Sequence, residues 1–338
     1  MSGRKNGDRT VSVVVPAHNE GAVLGRLLSG LLDGARPGSI EVVVVANGCT
    51  DDTADVARSF AAGGGAQGPA AGGTGGAVVR VIETSVANKY HAMRLADAEI
   101  DAFPRVYVDA DVELGYTGVM SLAEVLRAKD ENGSESGGER HGEREEAKTV
   151  LAAAPEREVP LDGCPWTVRW YYAVWERLPT VRSGLFGRGV IGVSEAGYQR
   201  LRVLPELMGD DLAASLSFTD AERRIVPDAV AIVHPPRTCR DLIRRRVRTA
   251  TVTAQAGRRA ELSKAGGEAR TSRADLLGVL KEAPLTMAPR LAWFLCVTVV
   301  ARRRARRMMA AGDYSTWLRD ESSRAAAAAP STTERSSV

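Results

Sequence analysis

The chain has 338 residues, of which 44% are hydrophobic and 26% charged, a balance typical of a globular protein with one large or two small domains. Its 45 basic and 42 acidic residues leave a formal net charge of +3, which gives no reason to expect a nucleic acid partner. Basic residues are concentrated at positions 237–307, where 18 basic and 5 acidic residues give a local charge of +13. Such a field requires an anionic partner, a membrane surface or an acidic neighbouring face.

The cysteines and the apolar runs bear on the compartment. Four cysteines lie far apart without metal-finger spacing, which indicates reduced thiols in a cytoplasmic protein. The first ten residues are polar and contain no secretory signal. The longest apolar run, Leu291–Ala301, has 11 residues, whereas a bilayer-spanning helix needs about 20. The sequence therefore predicts a cytoplasmic protein without a transmembrane helix.

The N-terminal third alternates between strand-like and helix-like segments. The β-branched run Val11–Pro16 predicts a buried strand, and apolar residues recur at helical spacing in Glu20–Leu32. Further strands are predicted at Ile40–Ala46, Val78–Ile82 and Arg105–Val108, and further helices at Asp51–Phe60 and Lys89–Ala98. This alternation predicts an α/β fold with right-handed crossovers and a mostly parallel sheet.

Two stretches do not match the core pattern. Positions 61–76 form a Gly/Ala-rich linker, and positions 130–148 are charged and almost free of apolar residues, as is typical of a disordered loop. The tail from Ser322 onward has a similar composition. We therefore predict an α/β domain at 1–236, a basic helical extension at 237–320 and a disordered tail at 321–338.

Polar residues follow three predicted strands at the point where each strand ends. These clusters are Pro16–Glu20, Asn47–Thr53 and Asp109–Asp111. Ligands of parallel α/β sheets bind beyond the carboxyl ends of the strands, so the three clusters are expected to converge on one crevice. In the D-A-D motif one carboxylate can hold a hard cation while the other faces a sugar hydroxyl.

With these motifs the chain resembles the family 2 nucleotide-sugar glycosyltransferases. The resemblance covers roughly residues 10–250 and is carried by PAHNE (16–20), ANGCTDDT (46–53), NKYHAMRLA (88–96) and DAD (109–111), with GRGVIGVS (187–194) and GDD (209–211) as acceptor-side elements. It implies the GT-A fold, a Rossmann-like and mostly parallel central sheet flanked by helices, here followed by the basic helical extension.

The resemblance implies a nucleotide-sugar donor site at the strand ends. Its expected residues, which would border the base, ribose, sugar or diphosphate, are Pro16, Ala17, Glu20, Asn47, Asp51, Lys89 and Asp109. Asn47 stands where the family usually has an aspartate, and it can still hydrogen-bond a base edge. Asp51 matches an acidic position of the family loop, and the alternative is that Thr50 or Asp51 caps the following helix.

The resemblance also implies a metal and a general base. Asp111 would bind Mg²⁺ or Mn²⁺ bridging the diphosphate, which neutralises charge on the departing nucleoside diphosphate. His234 matches a further metal ligand of some relatives, and the alternative is a structural histidine. Asp210 and Asp211 match the acidic pair that supplies the base, and we favour Asp211. Their alternative role is to favour the N-terminus of a predicted helix, Asp210–Phe218.

The chain is therefore expected to be a metal-dependent inverting glycosyltransferase, acting on a hydroxyl of a glycan, a lipid-linked glycan or a small molecule. Arg244–Arg248 resembles an acceptor-side helix, and the Gln-x-x-Arg-Trp signature of processive synthases is absent, which favours transfer of a single sugar. The alternatives are a retaining enzyme that makes a small glycoside and a non-catalytic nucleotide-sugar-binding protein. A dinucleotide-binding oxidoreductase would need G-x-G-x-x-G after the first strand, where His18–Glu20 stands instead.

Two C-terminal features have open interpretations. Five aromatic residues within Trp166–Trp175 fit either a platform for sugars and lipid tails or a core helix. Arginines at 302–304 and 306–307 follow the apolar run directly, which predicts a cationic anchor on the inner face of the cell membrane. The alternative is a helix packed in the core with its arginines in solvent.

Overall fold

A computed structural model of the chain describes residues 10–62, 77–128, 149–203, 215, 217–256, 271–311 and 322–325. Most of the two predicted insertions, at 61–76 and 130–148, lies outside these residues. So do the acidic pair Asp210–Asp211 and most of the helix predicted to follow it.

Eight strands form one sheet. They are β1 (Val11–Ala17), β2 (Ile40–Asn47), β3 (Val78–Thr84), β4 (Arg105–Val108), β5 (Val112–Leu114), β6 (Ala152–Glu158), β7 (Val190–Val193) and β8 (Arg223–Val233). Their order across the sheet is β3-β2-β1-β4-β7-β6-β8-β5. The neighbours within β3-β2-β1-β4 are parallel, as is the β6–β8 pair, whereas β4–β7, β6–β7 and β5–β8 are antiparallel.

Seven helices of the described residues lie between the strands in chain order, up to residue 201. They are α1 (Gly21–Leu32), α2 (Thr53–Ala61), α3 (Lys89–Glu99), α4 (Tyr116–Arg127), α5 (Trp166–Trp175), α6 (Pro179–Ser183) and α7 (Glu195–Leu201). The C-terminal part contributes α8 (Cys239–Ala256), α9 (Arg273–Glu282), α10 (Pro284–Ala310) and α11 (Ser322–Ala325). The predicted α/β fold and its mostly parallel sheet are confirmed, and the bounds predicted for β1–β4 and α1–α3 agree with the observed ones to within two residues.

The sheet is buried on both faces because its central strands are continuous β-branched runs. On one face, Val13 and Val15 of β1 pack against Leu24 and Leu27 of α1. On the other face, Val14 belongs to the cluster that contains Ala92 of α3. The two layers of helices leave the carboxyl ends of β1, β2 and β4 clear for polar side chains, and this edge carries the candidate site.

The C-terminal helices form a second core against α5. Tyr171 stacks on Phe294 with ring centroids 5.0 Å apart, and the indole N–H of Trp293 donates to the Thr167 carbonyl over 2.7 Å. The rings of Trp166 and Trp170 contact each other with centroids 4.9 Å apart, as their spacing of four residues predicts. Of the two interpretations of this aromatic segment, the core helix is the observed one, although Trp166 remains 54% exposed.

Helix α10 is longer than its apolar run of 11 residues, from which the absence of a transmembrane helix was predicted. The helix continues beyond Leu291–Ala301 at both ends and spans 27 residues, so counting apolar residues alone underestimates its length. Among the described residues it is the one helix whose length and composition would suffice to cross a membrane. Five of its 27 residues are buried, and these pack on α5 and α8.

The prediction of a disordered tail is wrong for residues 322–325, and the rest of that tail lies outside the described residues. These four residues form a helical turn in which Ser323 is buried. The Ser322 hydroxyl accepts the backbone N–H of Arg237 over 2.9 Å. The turn is held because Arg324 pairs with two carboxylates of the sheet edge, a contact that the composition of the tail does not indicate.

Candidate functional site

Two tight turns bring the first two polar clusters together. Asn19 (φ 53°) and Gly48 (φ 58°) both adopt left-handed backbone conformations, which Asn and Gly tolerate best. A Cβ on Gly48 would lie 2.6 Å from the Cβ of Ala87, so only glycine fits there. The Asn19 carboxamide oxygen accepts the Thr50 N–H over 2.7 Å. The loops after β1 and β2 are therefore bonded to each other.

Three predicted donor residues lie at this junction. Ala17 is fully buried and Pro16 is buried in β1, so each can border a ligand only along the backbone. The Asn47 side chain is 2% exposed, and its amide donates to the Ala17 carbonyl over 2.8 Å. Asn47 thus holds the ends of β1 and β2 together, and its contact with a base remains a prediction.

Asp51 joins the first turns of α1 and α2. Its carboxylate accepts the Gly21 N–H and the Thr53 N–H, each over 3.1 Å, as well as the Thr53 hydroxyl. Burial would raise the pKa of Asp51, but these hydrogen bonds outweigh it and hold the pKa below its ordinary value. The predicted N-cap of α2, Thr50 or Asp51, is wrong because the helix begins at Thr53, two residues after the predicted start, with Asp52 as its N-cap. Asp51 still satisfies the N–H of the first helical residue.

The D-A-D motif lies across the crevice from these turns. Lys89, the first residue of α3, donates to Asp109 Oδ1 over 2.6 Å. The Asp109 N–H donates to the Gly189 carbonyl over 2.7 Å. Gly189 has φ 65°, and a Cβ there would lie 2.4 Å from Val112 and 3.4 Å from the Asp109 carboxylate. The glycines before β7 therefore allow that strand to approach the motif.

Asp111 and Glu20 share one arginine. The guanidinium of Arg324 donates to both Glu20 oxygens over 2.7 Å and to Asp111 Oδ2 over 2.9 Å. Burial would raise the pKa of Asp111, but Arg324 and then Arg245, Arg248 and Lys89 outweigh it, so the pKa lies below its ordinary value. Asp111 is thus an anion in a predominantly cationic environment.

His234 follows Val233 of β8, which pairs with Val112 next to Asp111, but its Nε2 atom is not free to bind a metal. Its Nε2 lies 2.6 Å from Glu113 Oε1, and the same carboxylate pairs with Arg26 over 3.1 Å. Nor do the described residues bring together three His, Cys, Asp or Glu side chains that could hold a metal ion. The structural alternative for His234 is the arrangement observed, and metal ligation by His234 remains a prediction.

The donor set nevertheless fits a metal that arrives with a diphosphate. Mg²⁺ in proteins is held by one or two carboxylates together with substrate phosphates and water, without an all-protein cage. Asp111 is about one-third exposed, at 36%, and ionised at neutral pH, and Asp109 lies two residues before it at the same strand end. Asp111 is the carboxylate that would hold Mg²⁺ or Mn²⁺, and Asp109, paired with Lys89, would face the ribose or sugar of the donor.

The most prominent residue missed by the sequence analysis is Arg324. It lies 304 positions from Glu20 in a segment rich in serine and alanine, and no local pattern distinguishes it from Arg335, the other arginine of the tail. Arg245 and Arg248, by contrast, belong to the arginine-rich helix that the sequence analysis identified. Because their charges lower the pKa of Asp111, the middle of α8 lies near the donor site.

Comparisons with known proteins agree with this geometry. A family model described as "Glycosyltransferase like family 2" matches residues 8–110, which include PAHNE (16–20), ANGCTDDT (46–53) and NKYHAMRLA (88–96) and end one residue before Asp111. A search of curated proteins found no match. The mannosyltransferase PcManGT from Pyrobaculum calidifontis, solved with GDP-Man and Mn²⁺, is 20% identical with a TM-score of 0.51, and the match covers 94% of this chain and 85% of that one.

Glucosyl-3-phosphoglycerate synthase from Mycobacterium tuberculosis, solved with phosphoglyceric acid, is 18% identical with a TM-score of 0.46, and the match covers 74% of this chain and 80% of that one. The likeness to the mannosyltransferase shows a common fold. The chain therefore has the GT-A fold, and its residues 8–110 are similar to the glycosyltransferase-like family 2.

Proposed function

We propose that this glycosyltransferase moves one sugar from a nucleoside-diphosphate sugar to a hydroxyl, with Mg²⁺ or Mn²⁺ and with inversion at the anomeric carbon. The observation that carries the proposal is the cluster of charged side chains at the carboxyl ends of the strands. Asp109 and Asp111 lie beside Glu20, with Lys89 paired to Asp109 and three arginines acting on Asp111. A site with this balance suits an anionic donor that brings its own cation.

The residues of the chain have separable tasks in this proposal. Asp111 would hold the metal, which would supply Lewis-acid stabilisation of the leaving diphosphate, and Asp109 would face the ribose or sugar of the donor. Lys89, Arg245 and Arg248 add positive charge around the phosphates. This stabilises the negative charge that develops on the diphosphate as its bond to the sugar breaks. Asp211 accepts the proton of the attacking hydroxyl, and the fixed strand ends hold donor and acceptor in line.

The acceptor in this proposal is a hydroxyl of a glycan, a lipid-linked glycan or a small molecule, as in polysaccharide synthesis of a cell envelope. GDP-mannose is the first donor to test, because the mannosyltransferase with the same fold was solved with it. UDP-glucose is the second, because a glucosyl-3-phosphoglycerate synthase structure contains it.

The donor site predicts metal-dependent stabilisation by nucleotides. GDP or UDP at about 100 times its dissociation constant should stabilise the fold by about 2.7 kcal/mol when Mn²⁺ is present. Thermal unfolding with each nucleotide, with and without Mn²⁺, measures this effect. Asp111→Asn should remove the Mn²⁺-dependent part, and equal stabilisation of the unmodified chain in excess chelator would contradict a metal at this site.

We further propose that the protein is cytoplasmic and that α10 docks it on the anionic inner face of the cell membrane. The face of α10 opposite its core contacts exposes Leu285, Leu295 and Val299. One turn further along the same face, Arg302, Arg303 and Arg306 are exposed. An apolar stripe that continues into arginines suits the boundary between lipid tails and anionic headgroups.

Vesicle flotation tests this docking. The full chain should float with phosphatidylglycerol vesicles at low salt and much less at high salt or with neutral lipid. Each arginine near such a surface contributes about 1 kcal/mol, so replacing Arg302, Arg303 and Arg306 by glutamine should weaken binding by about two orders of magnitude. The control replaces three exposed arginines outside α10, namely Arg36, Arg202 and Arg224. Equal loss in the control, or binding that resists both salt and alkaline carbonate, would contradict a peripheral docking face.

A further inference from the structure

The C-terminal turn α11 brings a basic side chain from the far end of the chain into the donor site. Ser322 is bonded to the Arg237 backbone just before α8, and it also hydrogen-bonds the Asp241 carboxylate of that helix. Ser323 is 6% exposed. The turn is therefore anchored by contacts of its own in addition to those of its arginine.

Arg324 binds its two carboxylates in a strong geometry. Nε and Nη2 each donate to one oxygen of Glu20 over 2.7 Å, a bidentate pair, and Nη2 also donates to Asp111. The Arg324 and Glu20 side chains are only 15% and 10% exposed. Removing two charges from water is costly, and the contacts offset that cost only when both partners are present. Neither group is an incidental surface charge.

We propose that Arg324 is a positioning residue of the donor site, an inference that rests on the proposed function. It holds one oxygen of Asp111, the expected metal ligand, and ties that carboxylate to Glu20, the expected ribose neighbour. Carboxylates that bind metals are commonly oriented by a hydrogen bond of this kind, and loss of the orienting group costs about 10–100-fold in metal affinity or activity.

The charges favour this role over that of an inhibitory plug. Three carboxylates and four cations lie together at the sheet edge, namely Glu20, Asp109, Asp111, Lys89, Arg245, Arg248 and Arg324. Without Arg324 the formal charges cancel, whereas with it the site has a positive excess that suits the anionic nucleoside diphosphate released by the reaction. A plug would instead have to leave before the metal and nucleotide could bind.

The two roles predict opposite effects of Arg324→Ala. Titration calorimetry with GDP or UDP in the presence of Mn²⁺ measures nucleotide affinity, and electron paramagnetic resonance measures bound Mn²⁺ directly. We expect both affinities to fall about 10–100-fold in Arg324→Ala. Arg324→Lys should recover only part of the loss, because an ammonium lacks the guanidinium fork. The matched control is Arg200→Ala, which removes another bidentate arginine–glutamate pair, with Glu222, outside the site.

Each outcome distinguishes the positioning role of Arg324 from the alternatives. Unchanged or tighter binding in Arg324→Ala would overturn the positioning role while leaving the proposed function intact. Failure of the unmodified chain to bind any tested nucleotide with Mn²⁺ would reject the proposed function and this inference with it. If Arg324→Ala does not fold, the decision passes to Arg324→Lys, and full affinity in that variant would overturn the role of the guanidinium fork.

Discussion

Replacing Asp211 by asparagine is expected to lower sugar transfer about 10²–10⁴-fold while donor binding survives. The substitution keeps the shape of the side chain and removes the proton acceptor, and losses of this size are typical when a general base is removed. The measurement is turnover with GDP-mannose or UDP-glucose, paired with the affinity for the nucleotide. The anomeric configuration of the product, read by NMR, reports inversion or retention in the same assay.

Asp210→Asn is the matched control because it removes the adjacent carboxylate. We expect its turnover to stay near that of the unmodified chain. The reverse result, with Asp211→Asn active and Asp210→Asn inactive, would transfer the base role to Asp210. Normal turnover in both variants would reject the acidic pair, and a retained anomeric configuration would favour the retaining alternative.

Replacing Asp97 by asparagine is expected to destabilise the fold by about 3–5 kcal/mol, because it leaves the guanidinium of Arg105 buried without a counter-charge. Arg105 Nη1 lies 2.6 Å from Asp97 Oδ1, and the two side chains are 2% and 7% exposed. The Tyr107 hydroxyl donates to the same oxygen over 2.7 Å. Urea denaturation measures the change in the free energy of unfolding.

Asp55→Asn provides the control for this prediction. Asp55 pairs with Arg58 on the surface of α2, where its side chain is 79% exposed, and solvent screens that pair. We expect no measurable loss of stability there. A loss below about 1 kcal/mol in Asp97→Asn would be typical of a surface ion pair and would contradict the buried arrangement.

The sequence by itself determined the elements whose signals are local. The valine runs of β1 and β2 and the leucine spacing of α1 indicate their secondary structure directly, because buried parallel strands and amphipathic helices impose these periods. The polar clusters were located for a similar reason. Each follows a strand within a few residues, and the geometry of parallel sheets brings such strand ends together.

Only the tertiary structure decided contacts between distant segments. The sequence does not show that the Glu113 carboxylate contacts the His234 imidazole, because the two residues are 121 positions apart and meet only where β5 pairs with β8. It does not show that Asn47 is buried and donates to the Ala17 carbonyl, since an exposed and a buried asparagine look the same in a sequence. The length of α10 was missed because the helix continues through arginines and contains Pro284 in its first turn and Pro289 further inside, residues that interrupt the apolar run but not this helix.

Arg324 shows the physical limit most clearly. Local composition around it is serine and alanine, which predicts a solvated tail because such residues bury little apolar surface. The turn is nevertheless ordered, and the cause is a pair of carboxylates at Glu20 and Asp111, more than 200 positions away. A bidentate ion pair depends on the relative positions of the partners in space. The folded sheet edge creates those positions, and no period in the sequence encodes them.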